Sequence, residues 1–511
     1  MKICRYIGFS FVLAMFLLTS CFDDKGNYDY KEIGEAVIKA IPGVTDNGDK
    51  LVCLENEHIQ LTPELEFKEG TTAEDYEFIW YRYPQQPQGT YQHYEQGDTL
   101  AMTRNLDYRI VDSPRDYWLV YKVINKKTGA QNEQRFEFII SAVNGWIVLD
   151  EDAAGNGDLQ IIRDKDIVEG GNGQVVKDYF SVNNGGKKMQ GARFIGICTN
   201  SSVSNLYVYS DEGAYIMDAS TYKEREDATY AGLFNSVVTL DAVNPQAHVY
   251  ETDHRRMDVL VNNHKVYAIA YIMMGESQYS EAKGVDDYVA APAIAPVRIS
   301  GHDNCAVLFD TKNNRFITIS GSKALAAPVS AGGAFNTAAI DPDLEYVYMN
   351  EGKDSETCLV MKHKTTGDFY LFRANLAATE PVAVACENLG NLTDMSEAKQ
   401  FVFGIRGNVL FYATDTKVYA WRNGKEEATE CMTVGAGERI SQIKIYNNPS
   451  DNVMTGKVLF VATQKGDEGK VYKAVFNEMS GLLLEEPLEY TGFKLIRDII
   501  SVPLKWDELN N

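Results

Sequence analysis

The sequence predicts an all-β protein in two parts, a β-sandwich over residues 32–143 and a closed ring of sheets, a β-propeller, over 144–511. Three observations lead there. Between Glu32 and Ser141, short runs alternate apolar and polar residues and are parted by Gly, Asp, Asn and Pro, the pattern of half-buried strands. From Asn144 onward one hairpin form recurs: an apolar strand, a turn of Asp, Asn or Gly, then a strand bearing Tyr or Phe. Long helical periodicity is almost missing between the hairpins.

In the first part, strands are expected at Ala36–Ile41, His58–Thr62, Tyr76–Tyr81, Tyr117–Ile124 and Arg135–Ile140, with Asn125–Gly129 as a hairpin turn. Five to seven strands in about 110 residues, with Trp80 placed to pack between sheets, is the pattern of an Ig-like sandwich. In the second part the hairpins fall at Trp146 onward, Leu206–Met217, Val259–Met273, Cys305–Ile319, Leu359–Phe372, Val409–Trp421 and Val458–Val475. These are seven units in 368 residues (144–511), about 53 each, a little above common propeller repeats. A blade cannot bury both its faces alone, so blades stack and the ring closes. Lys494–Val502 is placed to supply the closing strand beside Trp146. Seven blades are expected, with six or eight close by; a chain of sandwiches is the other architecture, and it does not require such regular hairpins.

The N-terminus reads as an address. Lys2 and Arg5 precede an apolar run from Ile7 to Leu18, too short for a stable membrane span, which marks residues 1–20 as a signal peptide. Leu17-Leu18-Thr19-Ser20-Cys21 resembles a bacterial lipobox, after which Cys21 is acylated and becomes the first residue of the mature chain. Acyl chains hold a soluble body to a bilayer through about 0.8 kcal/mol per buried CH₂. Residues 21–31 then form a polar tether. An ordinary signal peptide with Cys21 incidental is the alternative.

Cys-Phe-Asp-Asp-Lys-Gly-Asn-Tyr-Asp-Tyr-Lys-Glu-Ile at 21–33, with the Trp80 strand and the Tyr117–Gly129 hairpin, resembles the opening of PKD-like lipoproteins of Bacteroidota over roughly the first 140 residues. Asp23-Asp24 resembles the export signal that sends such proteins to the cell surface. The resemblance implies an outer-membrane, surface-exposed lipoprotein, accessory to a SusC/SusD-type importer of oligopeptides or glycans.

Charge and cysteines narrow the classes. Formal net charge is −23, and removing Lys2 and Arg5 leaves 47 basic against 72 acidic residues, −25, which argues against nucleic acid as a partner. Past Cys4 and Cys21, six cysteines remain singly placed, at 53, 198, 305, 358, 386 and 431, with no C-x-x-C spacing for a zinc ribbon or redox site. Buried free thiols are the first reading, and disulfides the second.

Residues for chemistry are sparse. No G-x-S-x-G, H-E-x-x-H or P-loop pattern occurs, so no catalytic residue, metal ligand or cofactor is assigned. His248, Glu251, Asp253, His254 and Arg255, with His264, form the one dense group; they read as an exposed loop between blades or as an acid/base set at the propeller mouth. Asp150–Asp158 resembles a calcium loop but lacks the twelfth-position glutamate, and reads first as an acidic turn. Tyr83, Tyr91, His93 and Tyr94 bracket a Pro/Gly loop at 84–89 and form a candidate contact loop, or packing at the sandwich end. Two functions follow: a non-enzymatic surface binding or scaffold protein, favoured because the reactive residues are not clustered, and a propeller hydrolase or lyase acting on an extracellular polymer.

Overall fold

A computed structural model describes residues 36–501, apart from 55–56, 86–96, 113–114, 142–144, 167–170, 172, 200–202, 252–256, 272–275, 299–302, 378–379, 449–450 and 452. The fold is all-β. Contacts divide the chain into two compact units. One takes in His58–Arg109 and Asp116–Phe138 with the chain up to Leu51; the other takes in Val52–Glu57, Ile110–Arg115 and the chain from Ile139 on.

In the first part a five-stranded antiparallel sheet runs in the order Lys50–Leu54, Gln131–Ser141, Arg115–Asn125, Tyr76–Pro84, Asp98–Ala101. Two pairs, Val37–Ala40 with Glu64–Glu66 and His58–Leu61 with Leu106–Arg109, complete it. Trp80 is fully buried and packs on Tyr121 at 4.3 Å, with its indole N–H donating to the Arg104 carbonyl. The predicted hairpin turn forms because Asn125 Oδ1 accepts the N–H groups of Lys127 and Thr128, while Gly129 takes φ 72°.

The second part is a propeller. Its described residues form seven antiparallel sheets, six of four strands or more and one, Ala192–Thr199 to Gly213–Asp218, of three. Every hairpin expected from the sequence lies within one of these sheets; six supply the two middle strands, and Leu206–Met217 supplies the centre and one edge of the three-stranded sheet, pairing Leu206 with Met217 and Tyr207 with Ile216. The inner strands are Leu495–Ser501, Ala192–Thr199, Pro245–Glu251, Ala295–Pro296, Leu344–Glu351, Gln400–Phe403 and Arg439–Ile445. Each lies against the next, and the last returns to the first.

Apolar layers between successive sheets hold the ring. Ile147, Leu149 and Ile161 of the first sheet meet Ile195, Leu206 and Val208 of the second. The pattern repeats round to Trp146 and Val148, which meet Val458, Phe460 and Val471 of the seventh. Both faces of each blade are therefore apolar, which is why its strands read as near-continuous hydrophobic runs such as the buried 146–149, Trp-Ile-Val-Leu.

The closing strand is where the sequence placed it. Leu495–Ser501 pairs antiparallel with Trp146–Glu151, Trp146 opposite Ser501 and Ile147 opposite Ile500. Asp498 locks it on both sides: its carboxylate accepts from Ile195 N of the second sheet (2.9 Å) and from Lys444 and Gln442 of the seventh. Beside it Lys473 of the seventh sheet is buried between Asp164 and Asp166, with the Tyr490 hydroxyl also donating to Asp164. Among the described residues no helix is long and apolar enough to cross a membrane.

Candidate functional site

The two described histidines of the group, His248 and His264, bond to different partners. His248 lies on the inner strand of the third sheet and is neither exposed nor at a mouth: its side chain is 1% exposed and Nε2 donates to Asp258 Oδ1 at 2.6 Å. The Tyr279 hydroxyl donates to the same oxygen at 2.7 Å, while Tyr207 and Tyr209 flank the imidazole at 5.5 and 5.4 Å. Gly196 makes room for it, since a Cβ there would sit 2.3 Å from His248 Nδ1. Burial, then the charge of Asp258, pushes the neighbouring Cys198 thiol well above its ordinary value, so it stays protonated and unreactive.

His264 lies in the turn just past the Met257–Asn262 strand, four residues beyond Leu260, which is the cross-strand partner of His248. There its N–H donates to Gln246 Oε1, and its Nδ1 lies 3.0 Å from the Ala290 carbonyl. Asp253, His254 and Arg255 lie outside the described residues, as do Cys21, Tyr91, His93 and Tyr94.

Asp150 and Asp158 are not turn residues. They are cross-strand partners in the first sheet, both buried, and their oxygens go to different protein donors. Asp150 accepts from Lys494 N and Gln160 Nε2, and burial raises its carboxyl above the usual range despite those bonds. Asp158 accepts from Phe180 N and Ser181 N at the start of the short helix Tyr179–Asn183, and pairs with Lys188. Asp152 alone makes the turn, accepting from Ala154 N and Asn156 N. Among the described residues no three His, Cys, Asp or Glu side chains gather closely enough to hold a metal ion.

Tyr83 does face outward. Register sets it opposite Trp118 on the neighbouring strand, and Tyr81 two residues earlier lies 6.5 Å away, ring to ring. Arg135 covers Trp118 at 4.2 Å and donates to the Tyr83 hydroxyl. Burial, then Glu133, pushes the Tyr81 phenol up to about 12, so at neutral pH it is an uncharged donor. Sequence reading found Tyr83 but missed Trp118 and Arg135; the strand parity of 83 and 118 is the signal that could have joined them.

On the propeller, two arrangements stand out. Past the ends of inner strands, Arg298 of the fourth sheet donates to Glu351 of the fifth (3.1 Å), and Asn447 beyond the seventh donates to Glu351 Oε1 (2.6 Å). Ser501 of the first sheet donates to the Asn447 carbonyl, so four sheets are tied together there. The other is a cleft of about 450 Å³ between the sixth and seventh sheets, lined by Ala420, Arg422, Lys425, Glu426, Glu427 and Ser480. Its charged side chains sit in an Asn-Gly turn that the sequence marks only as polar.

These features define a two-part β-protein: an Ig-like sandwich with an outward aromatic cluster, followed by a propeller whose buried acids serve its architecture. Residues 21–192 match the PKD-like family, a stretch that runs beyond the sandwich through the outer strands of the first propeller sheet. Solved structures similar to the chain include a quinonprotein alcohol dehydrogenase-like protein of Bacteroides thetaiotaomicron, 12% identical over 88% of this chain and 96% of that one, TM-score 0.41. A protein of Lactobacillus plantarum is 10% identical over 70% and 98%, TM-score 0.45. The β-propeller domain of Vanderwaltozyma polyspora Nup133 is 9% identical over 58% and 85%, TM-score 0.33. No curated protein matches the chain.

Proposed function

We propose that this chain is a lipoprotein of an outer membrane, anchored through Cys21 and facing outward, that works by holding partners or ligand rather than by breaking bonds. One observation carries the binding half of the reading: among the described residues, the buried acids and the buried histidine are committed to structural bonds. Asp258 and His248 hold each other, Asp150 and Asp158 hold backbone N–H groups, Asp498 locks the ring, and Glu351 ties sheet ends. A general base must reach a substrate proton, and these face inward.

The anchoring half rests on the lipobox-like Leu17–Cys21 and the acidic pair after it; the PKD-like match supports the family resemblance on which the role beside a SusC/SusD-type importer depends. Oligopeptide or glycan is the cargo class that resemblance implies. The test has two arms. Cells fed a labelled palmitate analogue should label the wild-type chain and not Cys21→Ala, and mild detergent extraction should bring down the chain with a TonB-dependent transporter. An unlabelled chain overturns the anchor in favour of an ordinary signal peptide, and a chain recovered alone while degrading a polymer overturns the binding half in favour of the hydrolase or lyase.

A further inference from the structure

We propose that the loop joining Glu468–Val475 to Leu488–Phe493, with the cleft beside it, is a docking surface for a protein that presents an apolar patch rimmed by lysine and arginine. The proposal rests on the binding reading above and names a surface and partner chemistry for it.

Four large apolar side chains stand in solvent within ten residues here: Met479 (61% exposed), Leu482 (45%), Leu484 (63%) and Leu488 (44%). The first three are held there by the loop, which is hydrogen-bonded from Asn477 to Leu484. Asn477 Oδ1 accepts from Met479 N and Ser480 N, Asn477 N donates to the Leu482 carbonyl, and Leu484 N donates to the Val475 carbonyl. Leu483 packs into the core between the sixth and seventh sheets, which turns Leu482 and Leu484 on either side of it outward. Gly481, at φ 75°, lies so close to the sixth sheet that a Cβ would fall 2.6 Å from the Ala420 methyl. The loop is thus seated, and its apolar side chains cannot fold back beneath it. A partner that covers them removes apolar surface from water and gains affinity without having to order the Asn477–Leu484 segment.

Charge selects the occupant. Glu478, Glu485 and Glu486 flank the apolar residues, and Glu426 and Glu427 line the cleft. Glu489 is already paired with Lys470; the described cations nearby are Arg422 and Lys425 of the cleft, Arg406, whose neighbour Gly407 abuts Glu478, and Lys457, whose carbonyl accepts from Phe476 N, four against the five glutamates. The rim is acidic on balance. A cationic rim complements it, whereas a second copy of this chain or an anionic lipid surface meets like charge.

The test uses the full chain in mild detergent, with empty micelles as the blank, and two fluorescent 14-residue peptides with the same leucine positions, one with lysine and one with glutamate elsewhere. The lysine peptide should bind and the glutamate peptide should not. Leu484→Ser with Met479→Ser, and separately Glu485→Lys with Glu486→Lys, should each weaken binding at least tenfold while leaving the thermal midpoint in place. Binding that is unchanged in these variants, or equal for both peptides, overturns the proposal. So does a wild-type dimer in sedimentation, or flotation with phosphatidylglycerol vesicles, that the Met479/Leu484 variant abolishes, since either assigns the surface to another occupant. Whether the wild-type chain is recovered with a transporter, or alone while degrading a polymer, is read separately from these outcomes, so failure here is distinguishable from failure of the binding reading.

Discussion

Asp258 shows at the scale of one residue how burial changes what a side chain is for. A carboxylate beside histidine, tyrosine and cysteine has the composition of a reactive centre, yet at 0% exposure it can only hold His248 and Tyr279 in place. Asp258→Ala strands both partners without water, and we expect a loss of about 3–5 kcal/mol in urea unfolding. Thiols follow the same rule. Burial pushes Cys358 and Cys198 up, while Cys386 is exposed, so of the six cysteines past Cys21 an alkylating reagent should reach Cys386 first and Cys198 and Cys358 only on unfolding, as peptide mapping would show. Asp218 adds a pH dependence. Burial works to raise its carboxyl, but hydrogen bonds from Ser220 and Thr221, with Arg225 nearby, outweigh it and hold the group below its ordinary 3.8. A depressed value means the stabilisation is complete above 3.8 and is lost as pH falls through the folded value. Asp218→Asn should therefore be less stable than wild type at pH 7, and the gap should close in acid when unfolding is followed across pH.

At the scale of the element, close approaches decide what the strands tolerate. Gly196 sits in the middle of the Ala192–Thr199 strand, where glycine weakens a strand, and it is there because the His248 ring occupies the space a methyl would take. Gly196→Ala should cost about 1–3 kcal/mol by the same unfolding measurement, from the displacement of the imidazole and its bond to Asp258. The connection from Ala219 to Asn244, between the second and third sheets, carries one short 3-10 turn at Ala231–Leu233 and no strand. Beyond Gly213–Asp218 the second sheet therefore continues only as a single bridge, Met217 to Glu224.

For the molecule as a whole, the ring is a closed chain of apolar layers, and closure depends on the last strand finding the first sheet. Removing residues from Leu495 onward takes away the inner strand of that sheet, its pairing with Trp146–Glu151 and the Asp498 bonds to both neighbours. We expect calorimetry on the truncated chain to lose the propeller's cooperative transition. The closing strand was legible in advance because Leu495–Val502 is an apolar run with no sheet of its own left to complete, and the hairpins were legible because alternation and turn residues are local properties. The candidate sites were not. Whether His248 meets Asp258, whether Asp150 and Asp158 share an ion or part to separate donors, and whether Leu484 is covered or exposed all depend on which strands become neighbours. The sequence by itself determined an all-β chain, its hairpins and its closing strand, since strand period and turn chemistry act over a few residues. Only the tertiary structure decided which carboxylates and apolar side chains are spent inside and which remain on the surface, because burial and pairing arise between residues far apart in the chain.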